Sequence, residues 1–318
     1  MPPAWRRWQS VSSIRPVTRP TLVWLLLASI WGSTWLFIKV GLEDLPPLTF
    51  AGLRFVVAAA PLVLWIVVRR VPLPTRWADW RLMIVTGLLT FALNYSLVFW
   101  GESHITSGLA AILYTTFPIL GMLLAHGMLP DEPLTARKLG GALLGMVGVV
   151  VIFAHELSVR GALALAGSAA IVVAAFGTAY ADVLIKREGV HIDPVVMTAV
   201  QMVVGLVPML AVGIALEGNP LGFAWTGRAV FALCYLALVG SSLTFTLLYW
   251  LIRRMQVTRM MLMPLWSTLM AVLLGAAVLG ERVTLRVILG GAAILGGLLL
   301  AVAAGSTLRR PVEKRSGD

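Results

Sequence analysis

Long, uninterrupted apolar stretches limit what this chain can fold into. About 20 consecutive apolar residues suffice to cross the hydrocarbon core of a bilayer. Such stretches are predicted at ten places: 22–41, 49–68, 82–101, 106–127, 137–153, 161–185, 194–215, 229–251, 260–279 and 285–304. Only 12% of the residues are charged, whereas soluble domains average about a quarter. A membrane barrel would instead alternate apolar and polar residues over strands of about 10 residues. The sequence therefore predicts an all-α integral membrane protein with ten transmembrane helices.

Basic residues are concentrated in every second loop between the predicted spans. Nineteen of the 25 Lys and Arg residues lie on one side of the spans, both tails included, and the opposite loops hold only Arg160, Arg228, Arg282 and Arg286. Cytoplasmic loops are the ones rich in Lys and Arg. Both termini are therefore predicted to be cytoplasmic, in the inner membrane, and the net charge of +11 reflects membrane orientation rather than binding to nucleic acid.

Two parts of the chain repeat one another at a nearly constant offset. The pairs 147 positions apart are Lys39 and Lys186, Pro47 and Pro194, Arg54 and Gln201, and Pro61 and Pro208. Between tails at 1–20 and 305–318, the repeats cover 21–153 and 161–304, and each holds five predicted spans. Because five is odd, the second repeat enters the membrane in the opposite orientation. Inverted repeats are typical of transporters whose halves move around a site near the midplane.

Several short motifs resemble the EamA-type branch of the drug/metabolite transporter superfamily. They are Trp31-Gly32-Ser33, the run from Lys39 through Pro46-Pro47 to Arg54, and Gly280-Glu281-Arg282 followed by Gly290-Gly291. The resemblance implies ten helices in two inverted five-helix repeats and the export or exchange of amino acids, other metabolites or drugs. One departure is that Ser267 occupies the position equivalent to Pro118, and the proline is Pro264 instead. The kink of the ninth helix is therefore expected about one turn away.

Polar and aromatic residues at mid-depth form the candidate lining of a substrate cavity. They are Trp31, Ser33, Thr34, Arg54, Asn94, Tyr95, Tyr114, Thr178, Tyr180, Gln201, Ser242 and Trp266. Apolar walls with a few placed polar groups suit an amphipathic solute. For each residue alone, hydrogen bonding and packing between helices is the simpler interpretation. For the set as a whole, a central cavity explains the distribution better.

Two basic residues near the outer end of the first repeat each have two interpretations. A charge deep in lipid costs about 2.5–3.5 kcal/mol on insertion scales, so its side chain must face protein, water or the interface. Lys39 either attracts anionic substrate groups, or its side chain snorkels to the interface or pairs with Glu43 one turn further on. Arg54 either lines the cavity or has a structural role, in which its side chain connects its helix to the loop that carries Glu43 and Asp44.

Asp182 is the one acidic residue inside a predicted span. Acids in that setting often serve proton or cation coupling, but Lys186 follows one helical turn later and offers a local ion pair. The four histidines all fall in predicted loops or at helix ends. The sequence therefore favours uncoupled transport or exchange, and it predicts that Asp182→Asn leaves transport largely intact.

Four prolines lie inside predicted spans and are expected to interrupt them: Pro61, Pro118, Pro208 and Pro264. Proline removes a backbone hydrogen bond and bends its helix. Pro118 and Pro264 are candidate gating hinges, and fixed curvature is the alternative. Glycines in the fifth and tenth spans are expected to pack helices closely within one chain, with a homodimer face as the other possibility.

These features together predict an exporter or exchanger of small metabolites or amphipathic drugs that works by alternating access. Its expected partners are the solute and the lipid bilayer, with no cofactor and no metal. A lipid-modifying membrane enzyme is the first alternative, but no His, Asp and Glu cluster and no nucleophile motif is evident in the sequence. A membrane scaffold or sensor is the second alternative.

Overall fold

The computed structural model describes residues 18–102, 104–105, 107–153, 161–279 and 284–304, and this part of the chain consists of helices and short connections. The α-helices, in chain order, are α1 (Arg19–Leu42), α2 (Pro47–Arg69), α3 (Trp77–Gly87), α4 (Asn94–Glu102), α5 (Ser107–Tyr114), α6 (Thr116–Met128), α7 (Ala136–Phe153), α8 (Ala162–Glu188), α9 (Pro194–Glu217), α10 (Gly227–Ala237), α11 (Thr244–Ile252), α12 (Val257–Met260), α13 (Met263–Leu279) and α14 (Leu285–Ala304). Residues 1–17 of the predicted N-terminal tail, the C-terminal tail at 305–318, the junction at 154–160 and the 280–282 motif lie outside the described residues.

Seven helical stretches in the described part of the chain are long and apolar enough to cross a membrane. They are Arg19–Leu42, Pro47–Arg69, Trp77–Val98, Ala162–Glu188, Pro194–Glu217, Gly227–Ile252 and Leu285–Val302. The other three predicted spans coincide with α5 and α6, with α7, and with α12 and α13. Large apolar side chains such as Leu216 and Leu299 expose 74% and 72% of their surface, as expected for residues that a bilayer covers.

The first half (18–153) and the second half (161–304) pack against each other in matching helix pairs. Helix α1 contacts α10, α11 and α13, and helix α8 makes the corresponding contacts with α3, α4 and α6. Helix α2 packs along α9, and α7 packs along α14. A Cβ added to Gly148 on α7 would lie 2.5 Å from the carbonyl oxygen of Gly290 on α14. The predicted close approach of these helices therefore occurs within one chain.

Two helix breaks lie four residues before a proline. Helix α5 ends at Tyr114, four residues before Pro118, and α12 ends at Met260, four residues before Pro264. A proline ring clashes with the carbonyl of residue i−4 and cannot donate a hydrogen bond to it, so the helix opens there. The break in the ninth predicted span is thus shifted toward Pro264, as its sequence position predicts.

The other two prolines do not interrupt their helices. Pro61 lies inside α2 and Pro208 inside α9, and both helices are continuous through these positions. The expectation of an interruption there was wrong. Each helix packs along the other, so tertiary contacts hold the continuous helix despite the missing hydrogen bond.

Two π-helical segments were not predicted from the sequence. The first, π1 (Leu88–Leu93), joins α3 to α4, and the second, π2 (Leu238–Leu243), joins α10 to α11. The two segments are 150 positions apart, which is close to the offset of the sequence repeat. A π segment adds a residue to the helical turn and occurs frequently at functional sites.

Candidate functional site

Arg54 on α2 lies in the packed interior, with only 4% of its surface exposed. Its Nε donates to the Ser241 hydroxyl at 2.7 Å, and its Nη2 donates to the Gly240 carbonyl at 3.1 Å. Both acceptors belong to π2. The Ser241 hydroxyl donates in turn to the Leu236 carbonyl at 2.8 Å, which leaves its oxygen free to accept from Arg54. The Arg54 guanidinium also lies 5.6 Å from the centre of the Tyr95 ring.

The loop acids proposed as partners of Arg54 bind a different arginine. Asp44 accepts from Arg228 Nε at 2.8 Å and Nη2 at 2.9 Å, and from the Thr226 hydroxyl at 2.6 Å. Glu43 also pairs with Arg228, at 2.8 Å. Hydrogen bonds from Arg228 and Thr226 lower the pKa of Asp44 to about 2. The structural-tie interpretation of Arg54 was therefore wrong, because Arg228 at the start of α10 satisfies these carboxylates.

Gln201 on α9 occupies the position that corresponds to Arg54 in the second half, and it is fully buried. Its side-chain amide donates to the Thr86 hydroxyl of α3, and its carbonyl oxygen accepts from the Tyr249 hydroxyl of α11. Both ends of this amide are thus hydrogen-bonded. The equivalent position therefore carries a neutral network in place of a charge.

Asp182 on α8 is buried, with 6% of its surface exposed, and its Oδ1 has no hydrogen-bond partner among the described residues. The ion pair expected with Lys186 is not formed. Lys186 Nζ instead donates to the carbonyls of Ile252 at 2.5 Å and Met255 at 3.0 Å. These carbonyls belong to the end of α11 and the residues after it, where main-chain acceptors lack helical partners.

Two tyrosines lie near enough to this carboxylate to interact with it electrostatically. Tyr114 and Tyr249 both interact electrostatically with Asp182, and the Tyr114 hydroxyl donates to Asn94 Oδ1 at 3.1 Å. Thr178, one turn before Asp182 on α8, lies beside Tyr114. The structure thus brings together five of the predicted residues on α4, α5 and α8 with Tyr249 on α11: Asn94, Tyr95, Tyr114, Thr178 and Asp182.

Several other predicted lining residues make contacts between or within helices. Trp31 packs edge-on against Phe245, Ser33 shares a hydrogen bond with Tyr235, Thr34 donates to the Trp31 carbonyl, Ser242 donates to the Ala58 carbonyl, Trp266 donates to Ser29, and Tyr180 stacks on Phe176. Of these residues, Thr34 also lies beside Gly240, where an added Cβ would come within 2.9 Å of its methyl group. The structure describes the backbone of Lys39 in α1, and its side chain lies outside the description.

Two glutamates that the predicted site did not include connect the halves. Glu132, which is 3% exposed, accepts from the backbone N–H groups of Val257 at 2.6 Å and Thr258 at 2.9 Å at the start of α12. Glu217 accepts from Leu48 at 2.8 Å and Thr49 at 2.7 Å at the start of α2. A carboxylate at a helix N-terminus satisfies donors that lack helical partners.

An open groove of about 600 Å³ lies at the helix ends between 127–132, Lys186 and Arg187. None of the predicted lining residues borders this groove. The interior groups described above are therefore a separate feature of the molecule.

Helices long enough to span a membrane, halves that pack in matching pairs, and polar groups enclosed between them are the features expected of a membrane transporter. Residues 19–154 and 165–303 match the EamA-like transporter family, so the chain belongs to this family. The resemblance noted in the sequence is confirmed.

Individual relatives agree with this assignment. The chain is 30% identical over 271 residues to the uncharacterized transporter YoaV of Bacillus subtilis (strain 168), covering 85% of this chain and 92% of that protein. It is 29% identical over 286 residues to a probable amino-acid metabolite efflux pump of Salmonella typhimurium (strain LT2), covering 87% and 93%. A solved crystal structure with 19% identity superposes with a TM-score of 0.78 over 91% of this chain and 99% of that chain, which supports the fold alone.

Proposed function

We propose that this transporter crosses the inner membrane ten times, as two inverted five-helix repeats, and exports small metabolites by alternating access. The observation that carries the proposal is the correspondence between Arg54 in the first repeat and Gln201 in the second. These residues are 147 positions apart, and each reaches from its own half to helices of the other half that flank or contain a π segment. An exchange of the two halves relates the contacts of Arg54 with Ser241 and Gly240 to the hydrogen bond between Gln201 and Thr86. The basic residues concentrated on one side support cytoplasmic termini.

Two pairs of polar side chains that connect the halves support a two-gated mechanism. Asp44 binds Arg228, and His191 Nε2 lies 3.0 Å from Asp79 Oδ1. Asp44 and His191 are 147 positions apart, and Asp79 and Arg228 are 149 apart, so the second pair repeats the first with other residues. In an inverted repeat these pairs lie at opposite membrane faces. Alternating access would open one face while the other pair keeps its face closed.

The solute class is proposed from the relatives and from the interior. Relatives in Salmonella typhimurium and Escherichia coli (strain K12) are probable amino-acid metabolite efflux pumps. Among the described residues, Arg54 and Asp182 are buried within largely apolar walls and neither forms an ion pair. Amino acids and related small metabolites fit such a combination, and export is the proposed direction.

Flux into proteoliposomes tests the proposed activity. Purified protein is reconstituted and offered labelled amino acids, nucleobases and amphipathic cations, with empty liposomes as the control. Saturable uptake or counterflow of at least one amino acid is the expected result. Folded protein that moves none of the panel would overturn the proposed function.

Labelling of single cysteines tests the inverted topology. After Cys234→Ser removes the only native thiol, Glu43→Cys and Val190→Cys place thiols at exposed positions 147 residues apart. A membrane-impermeant maleimide is expected to label position 43 from outside intact cells and position 190 only in inside-out vesicles. Labelling of both positions from the same side would contradict the inversion.

Coupling to protons is a second candidate activity, and the unpaired Asp182 carboxylate favours it. The Tyr114 and Tyr249 side chains interact electrostatically with Asp182, and Lys186 is engaged elsewhere. Asp182→Asn keeps the side-chain shape and removes the exchangeable proton. Loss of flux driven by a pH gradient, with solute exchange retained, would support coupling. Unchanged flux in both assays would support the uncoupled transport that the sequence favours.

A further inference from the structure

Arg54 carries a buried charge that no acid neutralises within the described residues. The four acids that bind across the halves are engaged elsewhere: Asp44 with Arg228, Asp79 with His191, Glu132 with α12, and Glu217 with α2. Asp182 makes no ion pair in the described structure. A charge held inside a membrane protein normally has a compensating partner. An anion supplied from outside the chain would complete this site.

The hydrogen bonds of Arg54 leave one edge of its guanidinium unused. A guanidinium presents five N–H groups in a planar fork, and two of its edges match a carboxylate. Ser241 and Gly240 accept from Nε and Nη2, which occupies the side edge. No described residue accepts from Nη1. The end edge, formed by Nη1 and the second hydrogen of Nη2, therefore makes no hydrogen bond to a described residue, and its geometry suits a bidentate contact.

The surroundings of this edge are shaped by small and aromatic groups. Gly240 has no side chain, and an added Cβ would come within 2.9 Å of the Thr34 methyl and 3.5 Å of Arg54 Nη2. The Tyr95 ring lies on the guanidinium at 5.6 Å. The guanidinium is therefore bordered by an aromatic ring, a glycine and a threonine methyl group.

The equivalent position in the other half shows that packing alone does not require a cation here. Gln201 connects α9 to α3 and α11 through neutral hydrogen bonds at both ends of its amide. A glutamine thus satisfies the structural task in the second half. The charge in the first half serves a different purpose.

We propose that Arg54 binds the carboxylate of the transported solute, so that the substrates are small monocarboxylates, amino acids among them. This inference rests on the proposed transport function and names its substrate class. One free guanidinium edge matches a single carboxylate. No second basic side chain contacts Arg54 within the described residues, as a phosphate dianion would favour. Solutes that lack an anionic group lose this contact and bind weakly.

Matched ligands and variants in nanodiscs test the inference. Binding is followed by the ligand-induced shift of the unfolding midpoint and by displacement of a labelled ligand. The ligands are the common amino acids, simple monocarboxylates, the amides of the same acids, and the corresponding amines. The variants are Arg54→Gln, which copies the residue at the equivalent position, and Arg54→Lys, which keeps the charge but not the planar fork. Arg69→Gln is the control, because Arg69 is exposed and stacks on Trp65.

Arg54→Gln is expected to weaken binding of carboxylates by roughly 10- to 100-fold, the value of a charge-assisted contact. The affinity of Arg54→Gln for the amides should be unchanged. The carboxylate affinity of Arg54→Lys should lie between those of Arg54→Gln and the parent protein, and the affinity of Arg69→Gln should equal that of the parent. Equal affinity of the parent protein for acids and amides would overturn the inference. So would an equal loss for acids and amides in Arg54→Gln, or no carboxylate binding at all.

The unfolding midpoint without ligand separates a binding role from a folding role. Arg54→Gln is expected to unfold at or above the parent temperature, because it removes an uncompensated buried charge. Carboxylate binding that depends on Arg54, without flux in proteoliposomes, would reject the proposed transport function but support the binding site. Equal flux of acids and amides that Arg54→Gln does not change would reject the carboxylate site but support the proposed transport function.

Discussion

Replacing Glu132 with glutamine should weaken the contact that joins the first half to α12. The carboxylate accepts from two backbone N–H groups, of Val257 at 2.6 Å and of Thr258 at 2.9 Å, and is 3% exposed. A glutamine amide offers one acceptor and turns an N–H group toward the second donor. Losing one hydrogen bond to a charged group costs about 1.5–3 kcal/mol. Losing the charge at a helix N-terminus adds about 0.3–1 kcal/mol.

The expected total is therefore about 2–4 kcal/mol. Lys138 adds to the effect, because it is 2% exposed and interacts electrostatically with Glu132. Unfolding in mixed micelles, followed by tryptophan fluorescence, measures the change in free energy. A lowered midpoint is expected, together with faster labelling of a cysteine introduced at Thr258.

Glu217→Gln is the matched control. Glu217 accepts from two N–H groups at the start of α2, but it is half-buried, so water can replace the lost bond. Its cost should stay below about 1.5 kcal/mol, the value of an ordinary hydrogen bond. A Glu132→Gln protein within 0.5 kcal/mol of the parent, or equal costs for both variants, would refute the assignment of a buried capping contact.

Three further outcomes follow from individual contacts. Gly148→Ala should destabilise the folded protein by about 1–3 kcal/mol through overpacking between α7 and α14. Gly127 has open space around it, so Gly127→Ala should not destabilise the protein. Thermal unfolding compares the two variants. Tyr249→Phe should cost about 1–3 kcal/mol, because the buried Gln201 carbonyl loses its donor, and the same unfolding assay measures it. The contribution of Asp44 to stability should be constant above pH 3.8 and disappear as the pH falls through about 2. A pH series of unfolding midpoints for the parent and Asp44→Asn proteins checks this, and a difference that vanishes between pH 5 and 8 would contradict it.

The positions of the helices were predictable because the bilayer imposes a simple rule on sequence. An apolar run of sufficient length must be helical to satisfy its backbone groups in lipid. The predicted span at 194–215 therefore corresponds to Pro194–Glu217, and the predicted span at 285–304 to Leu285–Ala304. Local sterics likewise located the break before Pro264. The π segments were not predictable in this way, because their composition resembles that of the adjoining α-helices.

Partners of the buried charges were the least predictable part of the site. For Asp182 the sequence offered Lys186 as a neighbour one turn away, but the Lys186 ammonium binds carbonyls 66 and 69 positions along the chain. Sequence proximity identified which groups were available to pair. The choice among them depended on unsatisfied acceptors at the end of α11, which only the packing of that helix against α8 brings within reach.

The sequence by itself determined a membrane protein made of two related halves, because hydropathy and repeated residues are written along the chain and need no contacts to be read. It also identified Arg54 and Gln201 as corresponding positions. Only the tertiary structure decided what these two positions do. The partners of Arg54 lie 186 and 187 positions away, and only the packing of the halves determines that the guanidinium receives two neutral acceptors and, within the described residues, no acid. That arrangement gives one half a cation whose end edge makes no hydrogen bond to a described residue, and the other half a neutral network.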